Sequence, residues 1–134
     1  MSLTPSHVPT VPATTDRDRA LNGVFTTALE GGIGYWSAAE RYYWSTDGGT
    51  TEARDFIAVV RDTESDDHVA HVIDRDVITL GISRLYGHMR DFPDSYHHRA
   101  VNALHFGKWE DADYDSDTAD LVVQYGLFGE QVYA

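Results

Sequence analysis

A chain of 134 residues, 42% apolar and with 16 aromatic side chains, is sized for one domain with a packed core. It has no cysteine, which excludes disulfides and thiolate metal sites, and no apolar run of about 18 residues, so no membrane span is expected. Twenty-two acids, sixteen of them Asp, face ten Lys and Arg for a net charge of −12, so no basic face for phosphates and no direct nucleic-acid binding are expected.

Residues 1–13 are rich in Thr, Ser and Pro and lack the basic and apolar blocks of a signal peptide. They read as a disordered arm, with a single domain over 14–134 and a cytoplasmic location. Thr15 is placed to cap a first helix, with Asp16 and Asp18 in its opening turn. Leu21, Val24, Phe25, Ala28 and Leu29 then recur at helical spacing, and Gly31 is expected to end the helix in a left-handed conformation.

An aromatic segment from Ile33 to Trp44 reads as a strand, with Tyr35 and Trp36 on opposite faces. The turn at Asp47-Gly48-Gly49 leads to a second strand, Arg54 to Arg61, with Phe56, Ala58 and Val60 on one face. A polar turn and a third strand, His68 to Ile73, complete an antiparallel meander. Asp74 or Asp76 caps a second helix with a stripe of Val77, Ile78, Ile82, Leu85, Tyr86 and Met89; Gly81 within it would let the helix approach the sheet closely. Asp94-Ser95 opens a third helix that Gly107 stops. An acidic loop, Lys108 to Asp117, precedes a last helix over 118–128 that is capped by Asp117, boxed by Asp120 and apolar nearly all round. Strand is the competing reading for Leu121-Val122-Val123. The fold class is therefore α+β: a small three-stranded antiparallel meander with about four helices packed mainly on one face.

The common signatures of chemistry are missing: there is no P-loop, no dinucleotide fingerprint, no nucleophile elbow and no HExxH. Alternating Asp from Asp111 to Asp117 lacks the glycine and the closing Glu of a calcium loop. His98 and His105 lie two helical turns apart, about 10 Å, too far to share a metal ion. His88, Asp91 and His97 are near enough in sequence for a metal or acid–base site, but helix capping and turn solvation explain them more simply. Tyr35, Trp36, Tyr42, Tyr43 and Trp44 form the other candidate, because Tyr and Trp join a large apolar body to a polar tip that suits binding surfaces. If Arg41 and Arg54 meet across the hairpin, they give that surface its few positive charges.

Three segments resemble a group of small bacteriophage and prophage proteins: ALEGGIGYW at 28–36, HVIDRDVITLGI at 71–82 and DSDTADLVVQYGLFGEQVYA at 115–134. The shared positions are Glu30, Gly31, Gly32, Tyr35, Trp36, Asp120, Gln124, Gly129 and Glu130. The resemblance implies a viral accessory protein and no particular activity.

The expected function is therefore a phage-encoded accessory protein that acts by binding a host or phage protein, or a small polar ligand, and not by catalysis. Glu30, Tyr35, Trp36, Gln124 and Glu130 are the candidate ligand-binding residues. No cofactor or metal is expected, and no membrane partner. The open sheet edges favour a homo-oligomer. Two alternatives stand beside this reading: an acidic nucleic-acid mimic that inhibits a DNA-binding enzyme, and a small metal-dependent hydrolase using His88, Asp91 and His97.

Overall fold

Thr15 starts the first helix by a reciprocal cap: its hydroxyl accepts from Asp18 N–H, and the Asp18 carboxylate accepts from the Thr15 N–H. Helix α1, Asp16–Thr27, buries Leu21, Val24 and Phe25 on the stripe that the spacing predicts. The computed structural model describes residues 8–134. Of the expected disordered arm, 1–7 lie outside the described residues. The following segment is ordered against the sheet: Pro12 bridges Ala53, and the Ala13 N–H donates to the Glu52 carbonyl.

The helix does not stop at Gly31 in a left-handed turn. It widens into a π-helical turn, Ala28–Gly32, and neither glycine has positive φ. Gly32 is required for proximity, since a Cβ there would sit 2.7 Å from the Ser116 carbonyl oxygen. Ile33 to Trp36 is also not strand. Ser37 N–H and Trp36 N–H both return to the Ile33 carbonyl, so Tyr35 and Trp36 leave a tight turn and do not alternate across a sheet.

Strands β1 (Ser37–Ser45), β2 (Glu52–Asp62) and β3 (Ala70–Asp74) form the antiparallel meander in the order β1-β2-β3. Phe56, Ala58 and Val60 are buried as predicted, and Phe25 of α1 meets Phe56 with ring centroids 4.4 Å apart. His68 lies before β3 with φ of 46°, so His68 and His71 do not share a strand.

Asp74 caps α2, Arg75–Met89, through the Val77 N–H. Gly81 serves a helix contact, not a sheet contact: a methyl there would overlap the Val122 carbonyl, and one at Gly126 would overlap the Val77 carbonyl. These two glycines bring α2 and the last helix into backbone contact. Helix α3 is shorter than expected, His98–Phe106; Asp94 is not its cap, and the Ser95 hydroxyl accepts instead from the His97 N–H ahead of the helix. Gly107 and Gly129 end α3 and the last helix in the left-handed conformation. Helix α4, Ser116–Phe128, begins two residues earlier than Asp117 predicts, because Asp115 is the cap. Asp120 is therefore inside the helix and is not half of a capping box. Ala119, Val122 and Val123 are fully buried, so α4 runs through the core as a helix and the competing strand reading fails. The class is α+β, and no helix among the described residues is long and apolar enough to cross a membrane.

Candidate functional site

Early register in α4 decides where its polar side chains go. With Asp115 at the cap, Asp120 and Gln124 fall one turn apart on the inward face, 6% and 0% exposed. They meet the turn that follows the π-helical widening. The Tyr35 hydroxyl donates to Asp120 Oδ2 at 2.6 Å, and Trp36 Nε1 donates to Asp120 Oδ1 at 2.9 Å. Gln124 Nε2 donates to the same Oδ1 at 2.9 Å and to the Tyr133 carbonyl at 3.1 Å. Gln124 Oε1 accepts from the Val132 and Tyr133 N–H groups, both at 2.8 Å. All four hydrogen-bonding valences of this amide are used.

The C-terminal segment closes over the same place. The Tyr133 ring stacks on Trp36 at 5.0 Å and 12°, with Phe128 edge-on to both. Its hydroxyl donates to Asp62 Oδ2, while Asp62 Oδ1 accepts from the Glu64 and Ser65 N–H groups. Burial alone would raise Asp62, but these donors outweigh it and hold the carboxyl below its usual range. The Asp62 bond pushes Tyr133 up to about 12; burial, then the bond and charge of Asp120, push Tyr35 to about 12. Trp36 is fully buried beneath this clasp.

Three of the five predicted ligand-binding residues thus converge, but on one another. Tyr35, Trp36 and Gln124 belong to the clasp. Glu30 is exposed beside a separate hollow that Asn22, Gly23, Thr26, Trp44 and Glu52 also line, and Glu130 is exposed past the end of α4. Asp120, Asp62 and Tyr133 complete the clasp and were not among the five. Asp120 and Tyr133 were visible in the shared C-terminal block; Asp62 gave no sequence signal, because its partner is 71 positions away.

A cleft of about 480 Å³ opens beside the clasp, lined by Tyr35, Met89, His97, Asp117, Asp120 and Leu121 among others. Tyr35 is 47% exposed although its hydroxyl is bonded. His97 sits at the N-terminal edge of α3, and its Nδ1 lies 2.7 Å from the hydroxyl of buried Thr118. That hydroxyl donates to Asp115 Oδ1 at 3.1 Å. Burial holds the His97 imidazole below its ordinary value, against the raising influence of Asp117.

The hydrolase arrangement does not assemble. His88 packs against Phe92 and Tyr125 while His97 turns to Thr118, and among the described residues no three His, Cys, Asp or Glu side chains come together as a metal site. Comparison of the chain with known protein families, with curated proteins and with solved structures finds no match to any of them.

Proposed function

We propose that this chain is a phage-encoded accessory protein that acts by binding a host or phage protein. The observation that carries the reading is the fate of the residues shared with the phage group. Tyr35, Trp36, Asp120 and Gln124 spend their hydrogen bonds on each other and on the C-terminal segment, which is the behaviour of groups that hold a shape and not of groups that transform a substrate.

The surface supplies a complementary argument. Phe92, Tyr96 and Phe106, all in the α2–α3 hairpin, are 53%, 71% and 55% exposed. Residues 80–108 carry four Lys and Arg against two Asp, plus four His, whereas the rest of the chain holds six bases and twenty acids. Large aromatics beside arginine are the side chains that anchor protein interfaces. This hairpin is the partner-binding face of the proposal. The open edges of β1 and β3 belong to the same reading as sites of homo-oligomer contact.

The test is affinity capture from infected and uninfected host lysates, with the wild type and a Phe92→Ser/Phe106→Ser double variant. A partner held by the wild type and lost by the equally stable variant supports the face. Retention by both, with binding that fades as salt rises, favours the acidic mimic instead.

A further inference from the structure

The polar lining of the cleft beside the clasp is two carboxylates, Asp117 and Asp120, the His97 imidazole, the Tyr35 hydroxyl and the Gln131 amide, whose Nε2 donates to the Tyr133 carbonyl. The Asp115 carboxylate caps α4 and accepts from both the Thr118 N–H and the Thr118 hydroxyl. A hydroxyl has one proton, and a carboxylate has none to give back. With that proton committed to Asp115, the Thr118 oxygen faces His97 Nδ1 as an acceptor at 2.7 Å, so Nδ1 must carry the imidazole proton. The chain carboxylate–hydroxyl–imidazole therefore favours the Nδ1–H tautomer of His97. In that tautomer its Nε2 has a lone pair; it has no hydrogen bond among the described residues and is not among the buried unpartnered atoms, and His97 lines the cleft.

The same cleft is lined by Asp117, whose charge acts on His97, and by Asp120, whose Oδ2 already accepts from the Tyr35 hydroxyl. Tyr35, Met89, Leu121, Gln131 and Ala134 make up the rest of its lining. The N-terminus of α4 contributes roughly half a positive charge, which the acids Asp115 and Asp117 in and before its first turn outweigh. Acceptors, negative charge, an aromatic face and two aliphatic walls together describe the complement of an alkyl chain ending in N–H-rich positive charge.

We propose that this cleft is a binding site for an alkylammonium or alkylguanidinium group, its N–H bonds taken by His97 Nε2 and Asp117 and its chain laid along Tyr35, Met89 and Leu121. The cleft takes Met89 and His97 from the hairpin of the partner-binding face, but the Phe92→Ser/Phe106→Ser variant changes neither, so loss of partner capture and loss of cation binding are read separately. A free amine and a Lys or Arg side chain of a partner offer the same group.

The first measurement is long-range proton–nitrogen NMR on the full chain at a pH where His97 is neutral. A protonated Nδ1 and a bare Nε2 are expected for His97, and Thr118→Val should abolish that bias while Thr118→Ser keeps it. An Nε2–H tautomer in the wild type would overturn the proposal. The second is a titration with n-butylammonium, n-butylguanidinium, tetramethylammonium and butyrate at constant ionic strength. Saturable shifts of the His97 and Tyr35 signals are expected with the first two only, weakened about tenfold by Asp117→Asn. Equal shifts with tetramethylammonium, or none with either N–H cation, sink it. Repetition with a short peptide carrying Lys or Arg, against the same peptide with norleucine in their place, separates a protein side chain from a free amine as the source.

Discussion

Two polar clusters lie one helical turn apart on α4 and use their hydrogen bonds in opposite ways. In the clasp, Asp120 and Gln124 face Tyr35, Trp36 and the Tyr133 backbone, and every valence of the Gln124 amide is consumed. In the cleft, Thr118 and Asp115 engage only one side of His97, whose other nitrogen has no hydrogen bond among the described residues. Closed valence marks a group that holds the fold; directed, open valence marks a group that can meet something else. Residue identity does not separate the two, since both clusters contain Asp and Tyr35 borders both.

If the clasp is structural, removing its centre should be the most costly change in this part of the molecule. Gln124→Ala strips the partner from the Val132 and Tyr133 N–H groups and removes one of the three donors to the Tyr133 carbonyl, which keeps Tyr35 and Gln131. A loss of about 3 kcal/mol follows from these lost bonds, part of it recovered as the segment reaches water. Denaturant unfolding should show it, together with a change in near-ultraviolet circular dichroism as Tyr133 leaves Trp36. A Gln124→Ala protein as stable as wild type would refute the division between clasp and cleft.

Acid provides the next largest effect. Asp62 in the clasp and Asp18 at the start of α1 are both buried. Burial would raise Asp18, but the Thr14 and Thr15 N–H groups and the Arg75 guanidinium together carry it far below the usual range. Asp62 is lowered in the same direction by Tyr133, Glu64 and Ser65. A carboxyl depressed in the folded state contributes stability that is full above its unfolded value, about 4, and is lost as pH falls toward its folded value. Stability should thus decline below about pH 4, by on the order of 2 kcal/mol for such a pair of carboxyls. Asp62→Asn should flatten part of that slope in urea melts between about pH 5 and 2, whereas a cleft variant should leave the slope unchanged.

Much of the fold was legible because it rests on local pattern. The stripe from Leu21 to Leu29, the alternation of Phe56, Ala58 and Val60, and the glycine stops at Gly107 and Gly129 all follow from periodicity and backbone sterics. The errors share another cause. Local pattern gives Gly31 a left-handed stop and Gly81 a sheet contact, whereas Gly32 and Gly81 admit backbone atoms of α4 that arrive from distant sequence. Asp117 fits locally as a cap, but Asp115 is the cap, and that slip of two residues hides the inward face of Asp120 and Gln124. The clasp was half visible as shared positions without a stated job. The His97 relay was invisible, because Thr118 reads as an ordinary residue of a helical first turn until His97 is placed against it.

Tyr35 joins the two clusters, so its hydroxyl and its ring can be tested separately. Tyr35→Phe keeps the ring over the cleft and removes the bond to Asp120. A cost of about 1 kcal/mol suits a hydrogen bond on a half-exposed residue. Its signature lies at high pH. A phenol raised in the folded state stabilises below its ordinary value, near 10, and that contribution is lost as pH climbs through its folded value. Tyr35 and Tyr133, both raised to about 12, should be late-titrating phenols in an ultraviolet titration, and Tyr35→Phe should remove Tyr35's share of the late signal.

The smallest change in stability should come from Asp117→Asn, and its smallness is the point. Asp117 is exposed in the first turn of α4, and no hydrogen bond ties it to the clasp. Loss of its favourable interaction with the helix N-terminus costs roughly 0.3 to 0.5 kcal/mol, and salt shrinks that further. The fold should therefore be indifferent to this carboxylate in thermal and denaturant melts, while alkylammonium binding at the cleft weakens. An Asp117→Asn protein destabilised as much as Gln124→Ala would place Asp117 inside the clasp and erase the distinction between a helix turn that closes on itself and one that is left open.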